Sequence, residues 1–409
     1  MTAKALLSDC WVRPRIRVLG HSWSAFLVWG YTAFGLALVL TTTMSILLQL
    51  SPLVMVMIAA AAAVTILSLA MAIKIVTGEE QHVHYHHAIS IVAVTSLLLR
   101  FSGKPVLPYL DLTILGIGMF LAAGRVGCFM VGCCHGRPYR WGVRYRDEHA
   151  EAGFPRCYVG VRLFPAQLLE SVWVLFIVGI CGLLLLSGRS PGTCLGSYVV
   201  GYGAGRFLME FLRGDPERPY LWGFSEAQWT SLGLMCLLSV LELAGELPFE
   251  IWHFAVTASV LLAMLGIALK RSLQPNTAHQ LLYAPHVGEL AEALELVTDH
   301  RSQMGTSLGW SRTSRPRQVQ IACTSLGVQV SASIIDTLTN RTFHYALSQR
   351  DGDMTEETAR RLSRLILKLR SASGPSEFVS GNQGVFHLLI TAQGGASEVR
   401  SRGRSEGSR

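Results

Sequence analysis

Long apolar runs separated by short polar breaks occupy the chain from about residue 23 to residue 270, and the pattern changes after Arg271. A helix that crosses a bilayer needs about 20 predominantly apolar residues. Residues 23–50 exceed that length, and the Ser51-Pro52 break sets off a second span over 53–73. Residues 88–99 are short, framed by His86-His87 and Arg100, and read as a tilted or partly buried helix. A span over 106–123 follows, then a polar loop over 124–163. Residues 164–186, 193–212, 227–243 and 251–269 complete the series, the last closed by Lys270-Arg271. The pattern predicts an all-α polytopic membrane domain of seven or eight transmembrane helices over 23–271, behind a basic N-terminal segment, 1–22.

Beyond residue 271 the periodicity is that of a water-soluble domain. Residues 272–315 read as a linker with a helical patch at 288–297. Residues 319–335 and 342–347 are rich in Val, Ile, Thr and Phe and predict strands, as do 385–391. Residues 355–369 predict a helix: Thr355 can cap it, Glu356 and Glu357 fill the first turn, and Lys368 and Arg370 sit at the end. That charge order suits the helix dipole at both ends. The result is a small α+β soluble domain over 316–393. The tail, 394–409, is nearly all Gly, Ser, Arg and Glu and predicts disorder.

Composition sharpens this picture. Of 409 residues, 50% are hydrophobic and 15% charged, against about 25% charged in soluble proteins. The net charge of +8 points first to the positive-inside rule and to anionic lipid, not to nucleic acid. Lys4, Arg13, Arg15, Arg17, Lys270 and Arg271 pull both ends inward, which eight spans satisfy. The same rule puts the 124–163 loop, with seven arginines and three acids, on the cytoplasmic side. The first apolar run is too long for a signal-peptide core and reads as a retained anchor. Four of nine cysteines (Cys128, Cys133, Cys134 and Cys157) share the loop region, in a spacing that matches no standard zinc pattern. No metal or cofactor is expected.

The candidate chemistry is arginine-centred. An arginine at the bilayer centre costs roughly 3 kcal/mol on insertion scales, so one held near membrane depth usually has a partner or a task. Arg125 lies where the 106–123 span is expected to end, framed by Gly124 and Gly127, with Arg137 beyond the Gly132-to-Gly136 turn. Arg206, Glu210 and Arg213 fall at i, i+4 and i+7 on one helical face. Gln167 and Glu170 are one turn apart at the start of their span. Guanidinium forks suit phosphate better than ammonium does, so the pattern points to a phospholipid phosphate site. The plainer alternatives are arginines snorkelling to headgroups and a structural ion pair between spans. The histidines at 82, 84, 86 and 87 read as a solvated interfacial patch.

Taken together, several segments resemble the prolipoprotein diacylglyceryl transferase family. They are Gly124-Arg-Val-Gly-Cys-Phe129, Gly136-Arg-Pro138, Pro165-Ala-Gln-Leu-Leu-Glu170, Arg206-Phe-Leu-Met-Glu-Phe-Leu-Arg213 and Ser225-Glu-Ala-Gln-Trp229. The resemblance covers about residues 20–270. It implies transfer of diacylglycerol from phosphatidylglycerol to the thiol of a lipobox cysteine in a prolipoprotein signal-peptide region, with release of glycerol phosphate. It also implies a multi-pass protein of the bacterial inner membrane. Arg125 and Arg206 would handle the phosphate, Glu210 would orient Arg206, and Glu170 or a histidine, taken as His86, would accept the thiol proton. Tyr31, Gly127, Cys128, Gly132, Arg137, Gln167, Arg213 and Gln228 would line the substrate site. The chain departs from the family in lacking its His-Gly-Gly stretch, in having Cys128 where the family has Asn, and in its C-terminal domain. Transfer to another acceptor, or phospholipid binding without catalysis, is the alternative.

Overall fold

The computed structural model describes residues 12–78, 83–216, 219–273, 277–303, 320–336, 341–372, 374–382 and 384–392. The expected tail at 394–409, His82 and residues 274–276 and 304–315 of the expected linker lie outside them. The chain divides into two compact units.

The first unit holds the long apolar helices. A short hairpin, β1 (Arg15–Val18) and β2 (His21–Ser24), precedes helix α1 (Ala25–Leu47). Helix α2 (Pro52–Thr77) starts on Pro52, whose missing N–H costs nothing in a first turn, and stops at left-handed Gly78. Helix α3 (His84–Phe101) is longer than the 88–99 run suggests, because the histidines form its first turn. Helix α4 (Val106–Val131) also overruns its expected end at residue 123. Gly124-Arg125-Val126-Gly127 therefore lies inside a helix rather than at its exit, a correction to the sequence-based reading. The apolar pattern fades there because the helix is lined with polar partners, not because it ends.

Between α4 and the next long helix lie β3 (Pro138–Arg144), the single-turn helix α5 (Asp147–Glu151) and β4 (Arg162–Leu163). The long helices resume with α6 (Ala166–Leu186) and α7 (Thr193–Met209), the latter tightening into a 3₁₀ turn over Glu210–Leu212. The strand pair β5 (Tyr220–Leu221) and β6 (Phe224–Ser225) leads into α8 (Glu226–Leu243), and α9 (Ile251–Leu273) closes the unit. Among the described residues, five helices are long and apolar enough to cross a membrane: α1, α2, α4, α6 and α9. Helices α1 and α2 turn most of their apolar side chains outward, whereas α4 is buried along most of its length. Outward-facing apolar helices around a buried central one suit hydrocarbon solvent. The protein is thus a multi-pass membrane protein.

The second unit is assembled from distant pieces of chain: residues 137–164, 214–217 and 276–409. Its helix α10 (Ala284–Gln303) encloses the expected 288–297 patch. The expected 319–335 strand is two strands, β7 (Ile321–Cys323) and β8 (Val328–Asp336), split by a turn at Gly327, φ 75°. Strand β9 (Arg341–Gln349), helix α11 (Glu356–Leu369), β10 (Ser376–Ser380) and β11 (Phe386–Ala392) follow. The strands form one antiparallel sheet in the order β10-β11-β9-β8-β7. Thr355 caps α11, its Oγ1 accepting from the Thr358 N–H at 3.3 Å. Ala359, Leu362, Ile366 and Leu369 belong to the buried stripe of α11, and Val330, Tyr345, Leu347 and Leu388 are among the buried residues of the sheet. Each fully buried leucine or isoleucine contributes roughly 2 kcal/mol. Residues 137–164 join this unit through the Ser371 hydroxyl, which donates to the Gly160 carbonyl at 3.3 Å, and through buried Tyr145, Phe154 and Tyr158.

Candidate phosphate site among the buried arginines

Three helices of the membrane unit bring five charged side chains together. Arg125 comes from α4, Glu170 from α6 and Arg206 from α7; Glu210 opens the 3₁₀ turn and Arg213 follows it. Arg125 grips Glu170 with a fork: Nη2 donates to Oε1 at 3.0 Å, and Nε lies 2.9 Å from Oε2. Arg206 faces the same carboxylate, Nε 3.9 Å from Oε1, while its Nη2 lies 2.9 Å from Glu210 Oε2. Arg213 Nη1 is 3.7 Å from Glu170 Oε2. The Tyr202 hydroxyl donates to Glu170 Oε1 at 3.0 Å. Glu170 is the hub, and all five charged groups are buried.

Three guanidiniums face two carboxylates in this cluster. Among the described residues Arg206 Nη1 is buried without a hydrogen-bond partner. A buried charge is stable only when paired and hydrogen-bonded.

Close helix approach makes the cluster possible. Gly205 has no room for a β-carbon, which would collide with the Trp173 indole, so α6 and α7 meet there. A β-carbon on Gly127 would come 2.9 Å from Trp29 Cβ, which brings α1 against α4. The Ser171 hydroxyl donates to the Ala122 carbonyl at 2.7 Å, pinning α6 to α4 beside Arg125. Asp111, buried in α4, accepts from the Gly192 and Leu195 N–H groups, both at 2.7 Å. A carboxylate from a neighbouring helix thus caps the positive end of α7 and sets the height at which Arg206 emerges.

The structure brings Arg125, Glu170, Arg206, Glu210 and Arg213 together. Gln167 sits one turn from Glu170 and donates from Nε2 to the Cys133 carbonyl at 2.7 Å. Gly132 ends α4 in the left-handed region at φ 89°. Cys128 is buried one turn beyond Arg125. Other expected site residues lie elsewhere. Tyr31 is 73% exposed on α1. His86 points outward and pairs with Glu226 at 2.8 Å. It is His84, on a different face of the same turn, whose ring meets Tyr202 edge-on at 5.5 Å. Gln228 completes a capping box with Ser225, accepting its N–H at 3.0 Å, and donates to the Phe207 carbonyl at 3.3 Å. Arg137 belongs to the second unit, where its carbonyl accepts from the Phe164 N–H at 3.0 Å. Cys157 belongs there too, and burial, then Glu292 and Glu295, push its thiol up to about 12. Sequence reasoning missed Tyr202, although it precedes Arg206 by four residues and so shares its helical face.

A buried cluster of arginines and carboxylates carried by apolar helices places the chain among polytopic membrane proteins. The comparison with known proteins is narrower. Residues 51–243 match the sequence model of the prolipoprotein diacylglyceryl transferase family. The chain is 32% identical over 114 residues to a phosphatidylglycerol–prolipoprotein diacylglyceryl transferase of Clostridium tetani, covering 27% of this chain and 43% of that one. It is 29% identical over 175 residues to the enzyme of that name from Nitrobacter winogradskyi, covering 41% and 55%. The chain thus spans about half the length of the curated relatives it matches. The match to the family model contains Arg125, Glu170, Arg206, Glu210 and Arg213.

Proposed function

We propose that the membrane unit transfers a diacylglyceryl group from phosphatidylglycerol to the cysteine thiol of a prolipoprotein lipobox, releasing glycerol phosphate, in the bacterial inner membrane. One observation carries this reading: three buried guanidiniums converge on the Glu170 carboxylate, and among the described residues Arg206 Nη1 is buried without a hydrogen-bond partner. A phosphodiester supplies a negative charge and several acceptor oxygens, which suit such a cluster and its free Arg206 donor. The activities for which the relatives are named support the same reading.

In this account Arg125 and Arg206 hold the phosphate. Negative charge grows on it as the glycerol C–O bond breaks, so fixed guanidiniums stabilise the transition state more than the bound lipid. Glu210 keeps Arg206 aimed from its other side. Glu170, committed to three arginines and Tyr202, is a positioning residue rather than the base. His84 is the proposed acceptor of the thiol proton, since its ring stands against Tyr202 at the edge of the cluster. The second substrate is the signal-peptide region of the precursor.

The test is Arg206→Lys, which keeps the charge and removes the fork. In phosphatidylglycerol vesicles offered a lipobox peptide, with product read by mass spectrometry, transfer falls about 100-fold. A wild-type rate in this variant would overturn the role given to Arg206.

A further inference from the structure

After Val131 the chain turns back on itself through two left-handed positions, Gly132 at φ 89° and Cys134 at φ 58°. A residue with a side chain rarely takes that backbone. Its consequence here is a gathering of thiols. The Sγ atoms of Cys128, Cys133 and Cys134 all lie within 4.8 Å of one another, and all three are free. The Cys133 S–H donates to the Cys128 carbonyl at 3.9 Å. Cys128 is buried, Cys134 half-buried and Cys133 exposed, so the cluster has a closed side and an open one. The phosphate chemistry above uses none of these sulfurs.

We propose that Cys128, Cys133 and Cys134 bind a thiophilic metal ion of the zinc class as a three-thiolate centre, with the fourth position taken by the acceptor cysteine of the substrate. The second half rests on the transferase reading; the first half does not. Zinc–sulfur bonds of about 2.3 Å place the sulfurs of a tetrahedral site about 3.8 Å apart, so the three need to close by at most about 1 Å. Soft sulfur ligands select zinc or copper(I) over hard cations. The cluster lies at the C-terminal end of α4, where unpaired carbonyls favour a cation. Three thiolates and a divalent ion carry one net negative charge, and Arg125 and Arg213 both act electrostatically on the Cys134 sulfur. Structural zinc sites close with four protein ligands, whereas three leave a position for substrate.

The chemistry balances. On binding the ion, the acceptor thiol gives its proton to His84, the acceptor proposed above, and its sulfur keeps a lone pair for attack. The sulfur–carbon bond forms as the glycerol carbon–oxygen bond to phosphate breaks, and glycerol phosphate leaves with that electron pair. The thioether product, a weaker ligand than thiolate, then departs.

The experiment uses the full-length protein purified in detergent. Metal analysis is expected to find about one ion per chain, and cobalt substitution to give thiolate-to-cobalt charge-transfer absorption. Both are lost in Cys133→Ser and in the triple Cys128, Cys133 and Cys134 to Ser variant, and both persist in Cys236→Ser. Cys133 is exposed, so its single variant keeps the test informative if the triple variant fails to fold. A metal-free protein whose three thiols all react with an alkylating probe overturns the centre. Adding a lipobox peptide shifts the cobalt spectrum and its Cys→Ser version does not; no shift with the cysteine peptide overturns the fourth ligand. Diacylglyceryl transfer is measured in parallel. Bound metal without transfer removes the transferase reading and leaves the metal centre. Transfer by the metal-free chain does the reverse.

Discussion

Glu170 is the side chain on which the membrane unit's electrostatics turn. Its two oxygens face Arg125, Arg206, Arg213 and Tyr202, all in a buried site. Removing one partner of a buried ion pair leaves the other uncompensated, typically at a cost of about 3–5 kcal/mol. Glu170→Gln is therefore expected to lower the thermal midpoint of the detergent-solubilised protein by several degrees. A change no larger than that of Glu356→Gln would disprove the hub. The Glu356–Arg360 pair on α11 is solvent-exposed and spaced i, i+4, so it contributes at most about 0.5 kcal/mol. The Arg206–Glu210 pair was legible in the sequence because both partners share one helical face. The Arg125–Glu170 pair was not, since 45 residues separate them and no local period links them.

Among the elements, α7 depends most on its neighbours. It has 17 residues, fewer than a typical span, and carries Tyr202 and Arg206 to the site. Asp111 of α4 replaces the missing local cap by accepting two N–H groups of its first turn. Bonds to a charged acceptor contribute about 1.5–3 kcal/mol each. Asp111→Ala is expected to destabilise the protein by about 2–4 kcal/mol and to speed amide exchange in the first turn of α7. Unchanged exchange there would show that water or another group caps the helix. By contrast α11 announced itself: cap, dipole charges and apolar stripe all sit in one stretch of chain, and the structure forms the helix from Glu356 to Leu369. Helices α3 and α4 ran past their expected ends because polar residues inside a packed helix bundle look, from the sequence, like a loop.

On the scale of the whole molecule, the second unit sets a parity condition. Residues 137–164, 214–217 and 276–409 share one compact body, so an even number of membrane crossings separates each piece from the next. Helices α6 and α7 lie between the first two pieces, and α8 and α9 between the second and third. If α6 and α9 cross, the condition is met when the two shorter helices, α7 and α8, cross with them. Protease sites inserted after Glu148 and after Arg350 are therefore expected to be cut from the same face of sealed vesicles. Cleavage from opposite faces would break the parity. Which face that is tests the charge rule, which puts the loop in the cytoplasm.

The sequence alone determined the membrane character, the appended α+β domain and the helical pairing of Arg206 with Glu210. Each of these rests on periodicity or composition within about twenty residues, the range over which one helix or strand shows its faces. Only the tertiary structure decided that Glu170 gathers three arginines, that Asp111 caps a helix 80 residues away, that three cysteines share one locus, and that His84 rather than His86 adjoins the cluster. Those facts depend on how closely helices approach and how each is rotated about its axis. Small residues such as Gly127 and Gly205 set these distances through packing with partners far along the chain.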